Sequence, residues 1–174
     1  KHLLEELLGE YSSRVPESVL YYMTSNHIQD GAVREVYAKL ASYGLSNYHI
    51  ARNSSLLTRD LPTIEANFEI FTMFGVSREV IATYAHILER VPSTSERNMS
   101  QLVKFLRVNK SHLTRRPYLI VRNFKKIKRA YQHLRDKGIT HKTIVRHLEL
   151  LTKDSEKIDK AYETLKSIGL SFEG

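Results

Sequence analysis

Apolar residues recur at i, i+4 and i+7 in four stretches of the chain: Val33, Tyr37 and Leu40; Ile64, Phe68 and Phe71; Ile127, Tyr131 and Leu134; and Ile158, Tyr162 and Leu165. That spacing draws one apolar stripe along a helix. Each stripe runs into the same punctuation, a Gly, an aliphatic residue and then Ser or Thr, in "REVYAKLASYGLS" (34–46), "EANFEIFTMFGVS" (65–77), "KRAYQHLRDKGIT" (128–140) and "DKAYETLKSIGLS" (159–171). Gly44, Gly75, Gly138 and Gly169 lie 31, 63 and 31 residues apart, so one more copy belongs between the second and the third. "ERNMSQLVKFLRVN" (96–109) supplies it, with Met99 and Leu102 placed 31 residues after Phe68 and Phe71, but without the Gly.

The punctuation predicts how each unit folds. Gly ends the long helix in the left-handed conformation and the next aliphatic residue packs back on the last turn. Ser46, Ser77, Thr140 and Ser171 then N-cap a second helix. On it Ile50, Ile81 and Ile144 head an apolar face that continues through Leu56 and Leu57, Ile87 and Leu88, and Leu150 and Leu151, with Leu119 and Ile120 in the degenerate copy. Asp60, Asn123 and Asp154 are suited to cap the following long helix, and Ser93 behind Pro92 takes that role in the remaining copy. A unit of this size cannot bury its own stripe, so neighbours must stack. The prediction is an all-α chain without a sheet, a superhelical solenoid of about 31-residue helical repeats. Residues 1–174 are expected to form a single array, and the ending "GLSFEG", which opens a new unit, suggests a fragment of a longer one.

Composition narrows the chemistry. There is no Cys among the 174 residues, which removes disulfides, thiolate metal sites and thiol nucleophiles, and points weakly to a reducing compartment. The longest charge-free runs, 18–29 and 40–51, fall short of the ~18 residues a membrane span needs, so a soluble chain with no membrane partner is expected. Lys1 is not an initiator Met and no Arg-rich leader precedes it, so any targeting segment is expected to lie outside this sequence. There is no phosphate-cradling Gly-rich loop, no HExxH and no EF-hand loop, and the eight His are scattered. No carboxylate pair stands in an apolar setting. The expectation is a non-enzymatic protein with no cofactor, no metal site and no catalytic residues.

The charge of +8 is concentrated. Residues 104–147 hold 14 Lys and Arg and a single acid, Asp136, and "RNFKKIKRAYQHLRDKG" (122–138) alone holds seven of those cations. A solvated helix face would mix Glu with Lys, as "EKIDKAYETLKSI" (156–168) does. If Ile127 marks the core, Lys125 and Arg129 point outward, with Lys126 and His133 on one flank and Lys128 and Arg135 on the other. A second pattern crosses the patch: Arg59, Arg90, Arg122 and Lys153 end the segments "LLTRD", "ILERV", "LIVRN" and "LLTKD" at intervals of 31, 32 and 31 residues. In a solenoid such positions form one row, each beside a helix N-terminus, where phosphates bind well. The same residues could instead stabilise the negative pole of the helix they end, or pair with the neighbouring Asp. The candidate nucleic-acid-binding residues are Arg59, Arg90, Arg115, Arg116, Arg122, Lys125, Lys126, Lys128, Arg129, Lys142, Arg146 and Lys153. The Tyr and Phe of the long-helix stripe read as core, whereas Tyr48, Tyr84 and Tyr118 lie off it and are the better candidates for stacking on bases.

From about residue 33 to 171 the chain resembles the mitochondrial transcription termination factor (mTERF) family. The resemblance rests on "NSSLLTRDLPTIEANFEIFTMFGVS" (53–77) and "RRPYLIVRNFKKIKRAYQHLRDKGIT" (115–140), which follow the family order of Gly-Leu-Ser turn, Ile-headed helix, Asn-Pro-x-Leu-Leu segment and a helix running to the next Gly. Pro117 stands before Leu119 and Ile120 as in the family, and Ser54 replaces that Pro in another copy. The resemblance implies a left-handed superhelix of repeats with two α-helices and one short 3-10 helix each, and a basic concave surface. It also implies a mitochondrial protein, with duplex DNA as partner in transcription termination or regulation. The alternatives are ribosomal RNA in mitochondrial ribosome assembly, and a protein partner held by a scaffold. The chain itself is expected to be monomeric.

Overall fold

The structure, a computed structural model, describes residues 2–167, apart from the side chains of Leu165 and Lys166. Gly169, Ser171 and the Leu165 side chain of the last stripe lie outside that description. The described residues are all-helical, with no strand among them. Helix α1 (His2–Leu8), the 3-10 helix η1 (Gly9–Arg14) and α2 (Glu17–Ser25) open the chain. A three-element order then recurs: α3 (Asp30–Ser42), α4 (Asn47–Arg52), η2 (Ser54–Thr58); α5 (Leu61–Met73), α6 (Arg78–Thr83), η3 (Ala85–Glu89); α7 (Pro92–Leu106), α8 (Lys110–Thr114), η4 (Pro117–Leu119); α9 (Phe124–Asp136), α10 (His141–Arg146), η5 (Leu148–Thr152); and finally α11 (Ser155–Ser167). The chain divides into two compact units, residues 1–96 and 97–174.

The Gly turns form as the sequence predicts. Gly44, Gly75 and Gly138 have φ of 91°, 84° and 81°. The amide that follows each of them reaches back five residues, Leu45 to the Leu40 carbonyl, Val76 to Phe71 and Ile139 to Leu134, which closes a Schellman cap. The copy without Gly makes the same turn on Arg107, whose φ of 51° is left-handed, while Val108 donates to the Val103 carbonyl. An L side chain in that conformation costs about 1–2 kcal/mol, so this repeat keeps its turn at the expense of local strain. Ser46, Ser77 and Thr140 accept from the His49, Val80 and Thr143 amides, as N-caps should.

Two expectations are corrected. The second helix of each repeat does not carry the paired aliphatic residues. It breaks after five or six residues at Asn53, Tyr84, Arg116 and His147, all near φ −113° to −138° and ψ 38° to 57°, and the pairs lie on the 3-10 helices, save Ile120, which directly follows η4. This break turns Leu56, Leu57, Ile87, Leu88, Leu119 and Leu151 into the core, all buried. Ser93 does not cap α7, because the helix already begins at Pro92, whose fixed φ suits the first helical position, and the Val91 carbonyl takes the Thr94 and Ser95 amides.

In unit 1 the core runs through Leu40, Ile50, Ile64, Phe71 and Ile81, and in unit 2 through Leu102, Leu113, Ile127, Ile144 and Leu148, all buried. The stripe aromatics are anchored within their own repeats. Tyr37 donates to Asn47 Oδ1 at 2.9 Å, Tyr131 Oη meets His141 Nδ1 at 2.9 Å, and the Arg78 guanidinium lies over Phe68 at 5.9 Å. In all three the partner stands ten residues on, at the start of the short second helix.

Candidate nucleic-acid interface

Arg122 leaves the chain just before α9, at the turn that Asn123 caps by accepting from the Lys125 amide at 2.9 Å. Lys153 leaves it at the equivalent place one repeat on, before Asp154 and the start of α11. The fold of unit 2 brings these two row positions to one open concavity of about 420 Å³, together with Lys126 and Arg129 of α9. Ala130, His133, Asp154 and Ser155 complete its lining. Among the described residues, none of the four cations is joined to a carboxylate. Arg122 is half-buried, and its Nε is buried without a hydrogen-bond partner.

Asp154 lines the concavity with the cations, while two other acids of unit 2 are held in contacts of their own. Asp159 of α11 pairs with Lys137 at 2.8 Å and with His133 at 3.0 Å, contacts that hold its carboxyl below the usual aspartate value, the Lys137 hydrogen bond first. Glu149 is held low by its own backbone N–H first, then by His147 and Arg116.

The remaining predicted residues are spread around this focus. Lys125 is exposed on α9 outside the concavity, and Lys128 extends over the Phe105 ring, 6.0 Å from its centroid. Lys126 and His133, expected on one flank of α9, line the concavity together, and Arg129, expected to point straight outward with Lys125, lines it as well. Arg116 is half-buried and faces Glu149 at 3.6 Å, so it is partly committed to an ion pair. Arg115, Lys142 and Arg146 are exposed on and beside the short helices α8 and α10. In unit 1, Arg59 and Arg90 are exposed at the ends of η2 and η3, in extended backbone. Asp60 beside Arg59 caps α5 by accepting from the Thr63 amide at 3.0 Å, and hydrogen bonding from Thr63, its side chain first and then that amide, lowers the Asp60 carboxyl.

The aromatic candidates fare differently. Tyr48, Tyr84 and Tyr118 are half-buried, and Tyr48 already meets Tyr11 edge-on at 6.0 Å under the Arg14 guanidinium. The freely exposed tyrosines are Tyr21 and Tyr22 on α2, at 75% and 50% exposure.

Sequence reasoning missed two side chains that position the row. Buried Asn98 donates its amide to the carbonyls of Ile120 at 2.9 Å and Arg122 at 3.0 Å. Thirty-one residues earlier, buried Asn67 does the same for Leu88 at 3.2 Å and Arg90 at 2.5 Å. Each amide thus ties down the end of a 3-10 helix where a row cation emerges. The available signal was a polar residue recurring at the seventh position after the helix cap, inside the buried stripe.

Among the described residues no cluster of three or more His, Asp or Glu is placed to hold a metal, and no helix is long and apolar enough to cross a membrane. No protein-family model and no curated protein matches the chain.

Proposed function

We propose that this chain is a non-enzymatic nucleic-acid-binding protein that grips the phosphate backbone of duplex DNA through unit 2, and that its repeats stack as a superhelical solenoid. The observation that carries this reading is the meeting of Arg122, Lys126, Arg129 and Lys153, from two consecutive repeats, at one open concavity without acid partners. Unpaired cations held close together repel one another, and a polyanion relieves that repulsion while releasing its own counterions. Asn98 fixes the backbone from which Arg122 emerges, so part of the ordering cost of binding is met by the fold. Arg115, Lys125, Lys128, Lys142 and Arg146, exposed elsewhere on unit 2, extend the positive field that steers the ligand in. The sequence resemblance supports a setting in mitochondrial transcription termination or regulation.

The test is a binding titration of the chain with duplex DNA, structured RNA and single strands across salt. The proposal expects tightest binding to duplex, with log Kd rising steeply with log salt by about 0.9 per phosphate neutralised. Tighter binding to structured RNA moves the reading to ribosomal RNA, and no binding to any of the three at low salt replaces it with a protein-interaction scaffold.

A further inference from the structure

One contact recurs between consecutive long helices and changes its chemistry from unit 1 to unit 2. Lys39, the residue before buried Leu40 of α3, pairs with Glu65, the residue after buried Ile64 of α5, at 2.5 Å. His133, the residue before buried Leu134 of α9, meets Asp159, the residue after buried Ile158 of α11, with its Nε2 3.0 Å from Oδ1. The repeat position is the same, but the permanently charged amine of unit 1 is replaced in unit 2 by an imidazole, a group whose charge changes in the neutral range. His133 also lines the concavity beside Arg122, Lys126, Arg129 and Lys153. Arginine and lysine stay charged throughout that range, so His133 is the lining residue that pH can switch near neutrality.

We infer that His133 is a fifth, proton-gated contact for the polyanion, so that unit 2 takes up a proton from solvent as it binds. The inference rests on the nucleic-acid reading and adds to it a dependence on pH. The groups that face His133 set the sign. Asp159 on α11 favours the charged imidazole, although Lys137 of α9 shares that carboxylate at 2.8 Å. Asp154 is the acid of the lining, and against it Arg122, Lys126, Arg129 and Lys153 all oppose a further positive charge. A bound phosphate backbone offsets those four cations and so favours the charged ring. Protonated, His133 adds one cation to the site; neutral, it adds none. Affinity is therefore fullest in mild acid and falls as pH rises through neutrality.

The experiment titrates the chain, His133→Gln and His133→Lys with duplex DNA at pH 6 and at pH 8 across salt, and follows the His133 imidazole of the wild type by NMR against pH with and without duplex. Expected is wild-type binding about threefold or more tighter at pH 6, within the roughly tenfold per pH unit that one proton allows. The salt slope should be steeper at pH 6 by up to about 0.9, the share of one added contact. His133→Gln should lose the gain at pH 6. His133→Lys, which installs the residue of the unit 1 contact, should hold the tighter binding at pH 8. In the NMR titration the His133 midpoint should move to higher pH when duplex is bound. Equal wild-type affinity at the two pH values, or the same gain at pH 6 in a folded His133→Gln variant, overturns the inference and leaves the nucleic-acid reading standing. If neither variant folds, the NMR midpoint decides alone, and one that duplex does not raise overturns the inference. No duplex binding at either pH overturns the nucleic-acid reading, and this inference falls with it.

Discussion

Units 1 and 2 are cut from one repeat and carry opposite charge: residues 1–96 hold 8 basic and 12 acidic residues, residues 97–174 hold 19 and 7. Both use the same apolar stripe, the same left-handed turn and the same buried Asn. In unit 1, cations are drawn into pairs, Arg34 with Glu6 through two bonds of 2.7 and 2.6 Å and Lys39 with Glu65 at 2.5 Å. In unit 2, among the described residues, none of the four cations of the concavity is joined to a carboxylate, although Asp154 lines it with them. The difference teaches that the repeat is specified by buried positions and punctuation, which leaves the exposed positions free to carry a function in one unit and ordinary surface in the other.

Removing the cations should break the comparison most strongly. Replacing Arg122, Lys126, Arg129 and Lys153 with Gln is expected to weaken duplex binding at least ~100-fold at 0.1 M salt and to lower the salt slope by about 3–4. Arg59→Gln with Arg90→Gln in unit 1 should lower the slope by no more than about 2, read in the same fluorescence titrations.

Next in size come the two asparagines. Asn67→Ala and Asn98→Ala each leave two carbonyls without their amide, and denaturant unfolding should show a loss of about 2–4 kcal/mol for either. Only Asn98→Ala should also weaken duplex binding, because the carbonyl it holds belongs to Arg122.

The turns sharpen the likeness between the units. A Cβ on Gly44 in unit 1 or Gly138 in unit 2 would meet nothing within 4 Å, so Gly→Ala at either costs only the left-handed backbone, about 1–2 kcal/mol. Arg107→Gly should run the other way. Relief of the strain, offset by the extra freedom of Gly in the unfolded chain, leaves a gain of about 0.5 kcal/mol, visible as a small rise in melting temperature.

The smallest effect is acid sensitivity. Asp60 in unit 1 and Asp159 in unit 2 both have carboxyls lowered by the contacts of the folded state. A lowered carboxylate contributes stability that is present above the ordinary aspartate value and is lost as pH falls through the folded one. Melting curves between pH 5 and pH 2 should therefore show part of the acid loss disappear in Asp60→Asn and in Asp159→Asn.

Much of this was legible in the sequence because it depends on local rules. Gly at a fixed interval can serve only a left-handed turn, and Ser or Thr two residues later can serve the cap, so the α–turn–α order followed directly. The positions of Arg122 and Lys153 at repeat ends were legible from spacing, and their meeting at one concavity followed from the fold of unit 2. Three features were not legible. The break at Asn53, Tyr84, Arg116 and His147 has no shared residue type, since it is tertiary packing of the next aliphatic pair that ends each short helix. Arg107 gave no sign of a turn because its left-handed backbone is imposed by its neighbours against its own preference. Asn67 and Asn98 sit inside an apolar stripe, where a polar residue reads as a blemish until its acceptors, some 21 to 24 residues away, are seen.

The most direct test of the account is amide hydrogen exchange of the chain with and without a duplex of about 20 base pairs. Protection should appear at the first turn of α9, at the end of η5 and at the start of α11, around Arg122, Lys126, Arg129 and Lys153, with α5 and η3 of unit 1 changing little. Protection confined to unit 1, or the same protection in the variant with all four cations replaced by Gln, would contradict it.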